Sequence, residues 1–347
     1  MFKPEYTIST KLLENIKAVA VLVSELNHRS FPKPILLELE KNANANSAHS
    51  STSIEGNPFA LTDVKRILKS NPPCRRDTEK EVLNYNSALE YLKTLARTKT
   101  ELLNLNLILE IQKLVMKDLL NKSRLGKLRK EPVFVNNPQT GKTIYWPPDH
   151  TDTQALMIEL INYINRNKSK VDFLILSGIF HKQLVIIHPF IDGNGRSTRL
   201  MTKHLLANLG LNTFNLFSFE NYYNKNVTKY FQKVGVLGNY YDLKNQVDFT
   251  EWLEYFTDGI IDELIRVRTE LNKRVTSPET ELEIHHKKLI KYIEEHGYIN
   301  DKLYSNITDR AKATRSLDFK KLLNLGILER FAQGKSTFYR LKNEEVN

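Results

Sequence analysis

Apolar residues recur at three- and four-residue steps over most of this chain, which is the spacing of amphipathic helices. The pattern is clearest in four segments: Ser87–Ala96, Leu103–Leu120, Thr153–Asn165 and Val171–Ile187. One segment, Pro132–Pro148, instead alternates apolar residues on both sides of a turn sequence, which is typical of a β-hairpin. We expect this hairpin to pack against the helices, because a lone hairpin is barely stable in water. The predicted fold class is mainly α, a helical bundle with one β-hairpin.

Bulk composition limits the compartment and the kind of partner. The chain has 347 residues, enough for two or three domains, and its single cysteine, Cys74, excludes an intramolecular disulfide and a cysteine-rich metal site. The N-terminus lacks a signal-peptide pattern, and the apolar run Asp172–Phe180 is shorter than the roughly 20 residues of a membrane helix. We therefore expect a cytoplasmic protein that does not enter a membrane. The formal charge of +11 suits an anionic partner, without separating nucleotide from nucleic acid.

The C-terminal part differs in character from the rest. A long helical segment from Phe249 to about Arg274 ends near Thr276-Ser277-Pro278, which places a domain boundary near residue 280. Three helical runs and two strand-like runs follow: Glu283–His296, Asn300–Asn306, Lys312–Leu325, Ile327–Phe331 and Ser336–Leu341. This order is typical of a winged helix-turn-helix, so we predict such a domain over residues 280–347.

The predicted winged helix is basic, with nine Lys or Arg against three Asp or Glu in Ser305–Lys342. Such a surface suits DNA, with Lys312–Lys321 as the recognition helix and with Lys312 and Arg315 as DNA-binding residues. The alternative is a wing that docks another protein or a second copy of the chain. The sequence leaves both interpretations open.

The densest chemical signal is the segment HPFIDGNGRSTR, His188–Arg199, between two helical runs. Gly193, Asn194 and Gly195 can adopt backbone conformations that let their amides converge. The next helix begins there and adds unpaired N–H groups and the positive end of its dipole. Together these features predict an anion-binding loop.

Charged side chains around this loop point to phosphate chemistry. Arg196 and Arg199 lie three residues apart, on one side of the helix's first turn, where cations are unfavourable unless an anion arrives. Asp192 offers a hard oxygen ligand of the kind that Mg²⁺ prefers. His188 titrates near neutrality and is the natural general base for a hydroxyl nucleophile.

The segment resembles the Fic family signature, His-x-Phe-x-Asp/Glu-Gly-Asn-Gly-Arg-x-x-Arg, and matches it at every fixed position. The resemblance implies a Fic-type helical bundle, with a catalytic core over residues 101–275. It also implies that the hairpin at 132–148 is a flap, which aligns a segment of a target protein by strand pairing.

The resemblance further implies AMP transfer from ATP, with Mg²⁺, to a Ser, Thr or Tyr hydroxyl of an unknown target protein. His188 would be the catalytic base and Asp192 the metal ligand. The implied nucleotide-binding residues are Gly193, Asn194, Gly195, Arg196 and Arg199. Among these, Arg196 would contact the outer phosphates and Arg199 the γ-phosphate.

A second group of residues lies in the N-terminal helical region, predicted over residues 1–100. A helical stretch ends at Glu55-Gly56, so the Glu55 carboxylate occupies the last turn, where the helix dipole disfavours it. An arginine partner would compensate this charge, although a solvated glutamate is the alternative. Residues 51–56 resemble the inhibitory motif Ser/Thr-x-x-x-Glu-Gly/Asn of Fic proteins. The resemblance implies that Glu55 pairs with Arg199 and blocks the γ-phosphate, and that Ser51 stabilises or caps the helix.

Other functions remain open from sequence alone. The chain could be a DNA-binding regulator that uses the Fic body as a nucleotide sensor. It could also use another nucleotide donor, or remove AMP from a modified target. A homodimer is a further expectation, since relatives with an inhibitory helix often form dimers.

Overall fold

The computed structural model describes residues 2–27, 33–72, 75–96, 103–137, 140–211, 216–275, 282–332, 334 and 337–342, and it is mainly helical. The chain divides into two compact units, Met1–Asn27 with Asn42–Ile265, and His28–Lys41 with Arg266–Asn347. The predicted division at residues 100 and 280 stays a prediction, and Cys74 and Thr276-Ser277-Pro278 lie outside the described residues. Within the described ranges, no helix is long and apolar enough to cross a membrane.

The elements up to residue 275 are, in chain order, α1 Thr10–Asn27, α2 Lys33–Ile54, α3 Leu61–Ser70, α4 Asp77–Ala96, α5 Leu105–Val115, β1 Val135–Asn136, β2 Thr143–Trp146, α6 Thr153–Asn167, α7 Phe173–Ile187, α8 Asn194–Leu209, α9 Glu220–Lys225, α10 Val227–Val234, β3 Gly238–Asn239, α11 Tyr240–Leu243 and α12 Thr250–Val275. Helix α5 is shorter than predicted over Leu103–Leu120. It ends at Val115, since the next residue, Met116, already leaves the helical conformation with φ −101° and ψ 8°, and Asp118 then turns left-handed with φ 58°.

The core of the first unit lies where α4, α5, α6, α7 and α8 meet. Each of these helices supplies side chains with no exposed area, among them Tyr85, Ile108, Leu160, Phe180 and Leu200. Helix α7 is buried around most of its circumference, which explains why its sequence is apolar at almost every position. The helices α7 and α8, which flank the glycine loop, are therefore held rigidly by the core.

The predicted hairpin is present in shorter form. Strands β1 and β2 pair antiparallel with Val135 opposite Tyr145, and β2 also pairs in parallel with β3. Strand β2 ends at Trp146 because Pro147 and Pro148 follow, and proline cannot donate to a sheet. The Tyr145 hydroxyl donates to the carbonyl of Ile186 at 2.8 Å and so fixes the strands to the end of α7. The use of this hairpin as a flap stays a prediction.

The C-terminal elements are α13 Ile284–His296, α14 Asp301–Ile307, α15 Lys312–Asn324, β4 Leu328–Phe331 and β5 Phe338–Leu341, with β4 and β5 antiparallel. Their core contains Leu289, Ile293, Tyr304, Phe319 and Leu322. Asp318 is buried beside this core, and it accepts two hydrogen bonds from Arg310 and one from the Tyr304 hydroxyl. Three helices followed by a strand pair is the predicted order, and the classification as a winged helix stays a prediction.

Candidate active site

The loop between α7 and α8 reverses the chain through two residues with positive φ. His188 caps α7 with φ 50°, and its N–H donates to the carbonyl of Leu184. Gly193 precedes α8 with φ 82°, and a Cβ at this position would lie 2.8 Å from Cγ of Met116. Only glycine satisfies both the backbone angle and this close approach. The turn therefore needs the glycine that the sequence places there.

Asn194 closes the loop from within. Its Nδ2 donates to the carbonyl of Phe190 at 2.8 Å, and its Oδ1 accepts from the N–H of Phe190 at 2.9 Å. Phe190 is itself buried in the core. The Asn194 side chain is therefore engaged in shaping the loop, which the phosphate role implied by the resemblance did not indicate. The backbone amides at the start of α8 remain the donors that could hold an anion.

Arg196 lies almost buried between two carboxylates. Its Nη1 is 3.0 Å from Oε1 of Glu81 on α4, and its Nη2 is 3.1 Å from Oδ1 of Asp192. Asp192 also accepts from the N–H of Gly193 at 2.5 Å. The Nε of Arg196 is buried and makes no hydrogen bond to any residue that the structure describes. One donor of this guanidinium is thus buried without a partner in the described part of the chain.

Arg199 is completely buried, and the segment that ends α2 supplies its partners. Its Nη2 lies 2.7 Å from Oε1 of Glu55 and 2.9 Å from the carbonyl oxygen of Ser51, while its Nε donates to Oγ of Ser51 at 2.8 Å. Ser51 therefore binds the arginine directly, whereas the resemblance implied only a helix-stabilising or capping role. Within the described ranges, Nη1 of Arg199 has no hydrogen-bond partner.

The ion pair of Glu55 and Arg199 fixes the charge of both groups. Burial raises the pKa of the Glu55 carboxyl, but the charge and hydrogen bond of Arg199 outweigh it, so the pKa lies below its ordinary value. Burial lowers the pKa of the Arg199 guanidinium, but the Glu55 charge outweighs it and raises the pKa. Both groups are therefore ionised at neutral pH, as a buried pair must be to offset its desolvation.

His188 is oriented for proton transfer. Its Nδ1 lies 3.3 Å from the carbonyl oxygen of Val185, so in the neutral ring Nδ1 carries the proton and Nε2 is left as the acceptor. Burial, to which the nearby Arg129 adds, lowers the pKa of His188 to about 4. The expected titration near neutrality is therefore wrong, because burial disfavours the charged ring. The imidazole is neutral at physiological pH, which is the state that a general base requires.

Two supporting residues were not identified from the sequence. Arg129 donates its Nε to the carbonyl of His188 at 2.9 Å and its Nη2 to the carbonyl of Pro148, so it joins the loop to the end of the hairpin segment. Gln112 donates to the carbonyl of Asp192 at 3.1 Å and accepts from the N–H of Gly126. Of these two residues, only Gln112 could have been noticed in the sequence, because it is a polar residue on the otherwise apolar, buried face of α5.

The two predicted DNA-binding residues lie on α15, in the second unit. Lys312 is exposed at the start of this helix. Arg315 instead pairs with Asp301 through both carboxylate oxygens, at 2.8 and 3.0 Å, and donates to the carbonyl of Arg310. Its guanidinium is engaged within the unit, so of the two only Lys312 presents its charge to solvent.

Residues 102–206, which include the glycine loop, match the model of the Fic/DOC family. The chain contains a Fic/DOC domain. The protein adenylyltransferase Fic of Aedes aegypti is 30% identical over 182 residues, which are 50% of this chain and 34% of that protein. The protein of the same name from Culex quinquefasciatus is 28% identical over 179 residues, also 50% of this chain and 34% of that protein. The chain thus spans about a third of the length of these curated relatives.

Solved structures share the fold of this chain. A Fic family protein from Desulfovibrio desulfuricans superposes with a TM-score of 0.65 at 18% identity, covering 99% of both chains. Fic-1 from C. elegans superposes with a TM-score of 0.62 at 19% identity, covering 77% of this chain and 74% of that one. At this identity the similarity establishes the fold alone, and with it the predicted Fic-type helical architecture.

Replacing Arg199 with Met should destabilise the first unit by about 2 kcal/mol. The change leaves the Glu55 carboxylate and Ser51 without their partner, and breaking a buried pair costs up to roughly 3–5 kcal/mol, less here because Glu55 is 29% exposed. Urea unfolding followed by tryptophan fluorescence measures this, since Trp146 and Trp252 both lie in the first unit. The control Lys113→Met breaks an exposed pair with Glu110 and should cost less than about 1 kcal/mol. Equal decreases in the free energy of unfolding for Arg199→Met and Lys113→Met would contradict the prediction.

Proposed function

We propose that this protein transfers AMP from ATP to a hydroxyl group of another protein and that Glu55 holds it in an inhibited state. The observation that carries the proposal is the pair of arginines that begin α8, Arg196 and Arg199. Both are buried and held by carboxylates, and each keeps one nitrogen, Nε and Nη1 respectively, that no described residue hydrogen-bonds. Two guanidinium groups in the first turns of α8, beside its backbone amides, can bind the oxygens of a nucleotide polyphosphate once a carboxylate partner moves aside. The names of the curated relatives support the same reaction.

The mechanism follows from the side chains of the loop. The target hydroxyl gives its proton to Nε2 of His188 as its oxygen attacks the α-phosphorus, and the bond to the β-phosphate oxygen breaks to release pyrophosphate. The carbonyl of Val185 stabilises the imidazolium that forms, because it accepts from Nδ1. The amides at the start of α8, with Arg196 and Arg199, stabilise the negative charge on the phosphates. Positioning and charge stabilisation thus supply most of the catalysis.

The residues of the loop also fit a magnesium ion. Asp192 is 53% exposed, and a single accessible carboxylate suits Mg²⁺, which usually takes one or two carboxylates and completes its shell with water and phosphate oxygens. When bound, the ion would neutralise phosphate charge. Asp192 would hold it and, in doing so, would release Nη2 of Arg196.

Inhibition is supported by where the Glu55 carboxylate lies. A Cβ built on Gly195, in the first turn of α8, would be only 2.2 Å from Oε1 of Glu55. The carboxylate therefore rests against the N-terminal turn of α8, where an incoming phosphate would bind, and it occupies Nη2 of Arg199. A nucleotide must displace this anion before its outer phosphates can reach Arg199. Glu55 could equally orient water that removes AMP from a modified target.

Replacing Glu55 with Gly should raise the rate of AMP transfer about 100-fold, equivalent to a brake of about 2.7 kcal/mol. Adding His188→Ala to this variant should abolish the transfer, because no base then accepts the hydroxyl proton. The measurement is incorporation of label from α-labelled ATP with Mg²⁺ into protein. The control Glu55→Gly, His296→Ala changes an exposed histidine of α13 and should retain the full rate of the single variant.

The outcomes separate the related reactions. An unchanged rate of AMP transfer in Glu55→Gly would contradict inhibition by Glu55 and would leave the assignment as a transferase intact. Label from γ-labelled ATP alone would indicate a kinase-type reaction, and label from another nucleotide would reassign the donor. Loss of AMP from a modified target, with no incorporation, would favour AMP removal.

The pH dependence of transfer provides a further test. Since the pKa of His188 is lowered to about 4, the neutral base is fully present above pH 5 and is lost only as pH falls through about 4. The kcat/KM of Glu55→Gly should therefore stay level from pH 8 down to about pH 5. A fall centred near pH 6.5, the ordinary histidine value, would contradict the environment described for His188.

DNA binding is the second candidate function, and the exposed surface of α15 favours it. Lys312, Ser316 and Lys320 are exposed at four-residue steps and so share one face of this helix, with the exposed Leu317 beside them. A recognition helix in the DNA major groove uses such side chains: polar and basic ones bind base edges and phosphates, and apolar ones contact the thymine methyl group. The engaged Arg315 is not part of this surface.

Replacing Lys312 and Lys320 with Glu should weaken binding to duplex DNA at least tenfold and reduce its salt dependence, because phosphate contacts release counterions. Fluorescence anisotropy of labelled DNA at several salt concentrations measures both effects. Lys291→Glu, on the exposed surface of α13, is the matched control and should change neither. The absence of DNA binding by the unmodified protein would exclude this candidate.

A further inference from the structure

Glu81 is a carboxylate of the site that neither the signature nor the inhibitory motif includes. It lies on α4, far from the loop in sequence, and its Oε1 is 3.0 Å from Nη1 of Arg196. The Arg196 side chain is only 5% exposed, so this contact is well shielded from water. A charge-assisted hydrogen bond in such a place fixes the plane of the guanidinium.

Glu81 is itself held in place by Asn57. The Nδ2 of Asn57 donates to Oε2 of Glu81 and to the carbonyl of Thr78, both at 2.8 Å. The backbone N–H of Asn57 donates to the carbonyl of Thr52 at 3.1 Å and closes the turn that carries Glu55. Asn57 lies only two residues after Glu55. A continuous set of hydrogen bonds therefore joins the turn bearing Glu55 to Arg196.

The two carboxylates on Arg196 differ in how easily they can leave. The Asp192 side chain is 53% exposed and, besides Arg196, accepts only from the N–H of Gly193 within the described ranges, so it can turn toward solvent or a metal ion. Glu81 is 24% exposed and is bonded to the Asn57 side chain. When Asp192 leaves, Glu81 still holds Nη1. The Nη2 of Arg196 can then bind a phosphate oxygen, on the same edge of the guanidinium as the buried Nε, which no described residue hydrogen-bonds.

We propose that Glu81 is a positioning residue for the outer phosphates of the nucleotide, and that through Asn57 it also stabilises the turn that presents Glu55. This inference rests on the proposed function of the loop. Glu81 orients Arg196 without touching the nucleotide. Loss of Glu81 should therefore weaken nucleotide binding, whereas loss of Asn57 should loosen the inhibitory turn.

Calorimetric titration of Mg·ATP and of AMP into Glu55→Gly variants tests the positioning role. Adding Glu81→Gln should weaken ATP binding about tenfold, because the neutral amide cannot hold the guanidinium as firmly. AMP, which lacks outer phosphates, should bind as before. The matched control Glu110→Gln removes a surface carboxylate that pairs with Lys113, and it should leave both affinities unchanged.

The result also distinguishes this inference from the proposed function. Equal ATP affinities with and without Glu81→Gln would overturn the role of Glu81 while the nucleotide site stands. An equal loss of ATP and AMP binding would indicate general damage to the loop and would also overturn it. If Glu55→Gly bound no nucleotide at all, both the proposed function and this inference would fail.

The coupling through Asn57 is tested in the protein that retains Glu55. Asn57→Ala should raise the basal rate of AMP transfer about fivefold, because the inhibitory turn loses its attachment to α4. In the Glu55→Gly background, Asn57→Ala should not raise the rate of AMP transfer, since the inhibitory carboxylate is already absent. An unchanged basal rate, or an equal rise in both backgrounds, would overturn the coupling.

Discussion

The buried guanidinium of Arg199 is the constraint on which the site depends. A fully buried cation must be paired and hydrogen-bonded, or its desolvation would cost several kcal/mol. The protein meets this need with Glu55 and Ser51, from a segment far from the glycine loop in sequence. The resting fold is thus completed by the contact that, in the proposed inhibition, keeps Arg199 from a phosphate. On that proposal, the inhibitory contact is also the one that stabilises the buried arginine.

The scaffold around this pair is rigid where the chemistry needs precision. Helices α7 and α8 lie in the core, so the loop between them starts and ends at fixed points. Phe190 anchors the middle of the loop in the core, and Asn194 bonds to its backbone on both sides. Arg129 then joins the carbonyl of His188 to Pro148. A loop fixed in this way keeps its amides and imidazole preorganised, which is the main source of catalysis in phosphoryl-group transfer.

The sequence predicted what short-range chemistry determines. Helical periodicity located the bundle, and the run of glycines marked the turn before α8, since φ 82° at Gly193 requires that residue type. The tertiary partners were harder to predict. Ser51 reaches Arg199 across 148 positions and Glu81 reaches Arg196 across 115, and no local pattern marks such pairs. The same holds for Arg315, whose partner Asp301 lies on the preceding helix and was not predicted.

The charges of the site explain why a bound nucleotide would also change which carboxylates pair with the two arginines. Three carboxylates, those of Glu55, Glu81 and Asp192, already pair with the guanidinium groups of Arg196 and Arg199. A triphosphate adds further negative charge and can be accommodated only if a cation joins it or a carboxylate leaves. Asp192 is the exposed member and suits the cation, whereas Glu55 is the member that blocks the phosphate in the proposed inhibition. Because a ligand shifts an equilibrium only by its differential affinity for two states, ATP would favour whichever arrangement has Glu55 withdrawn.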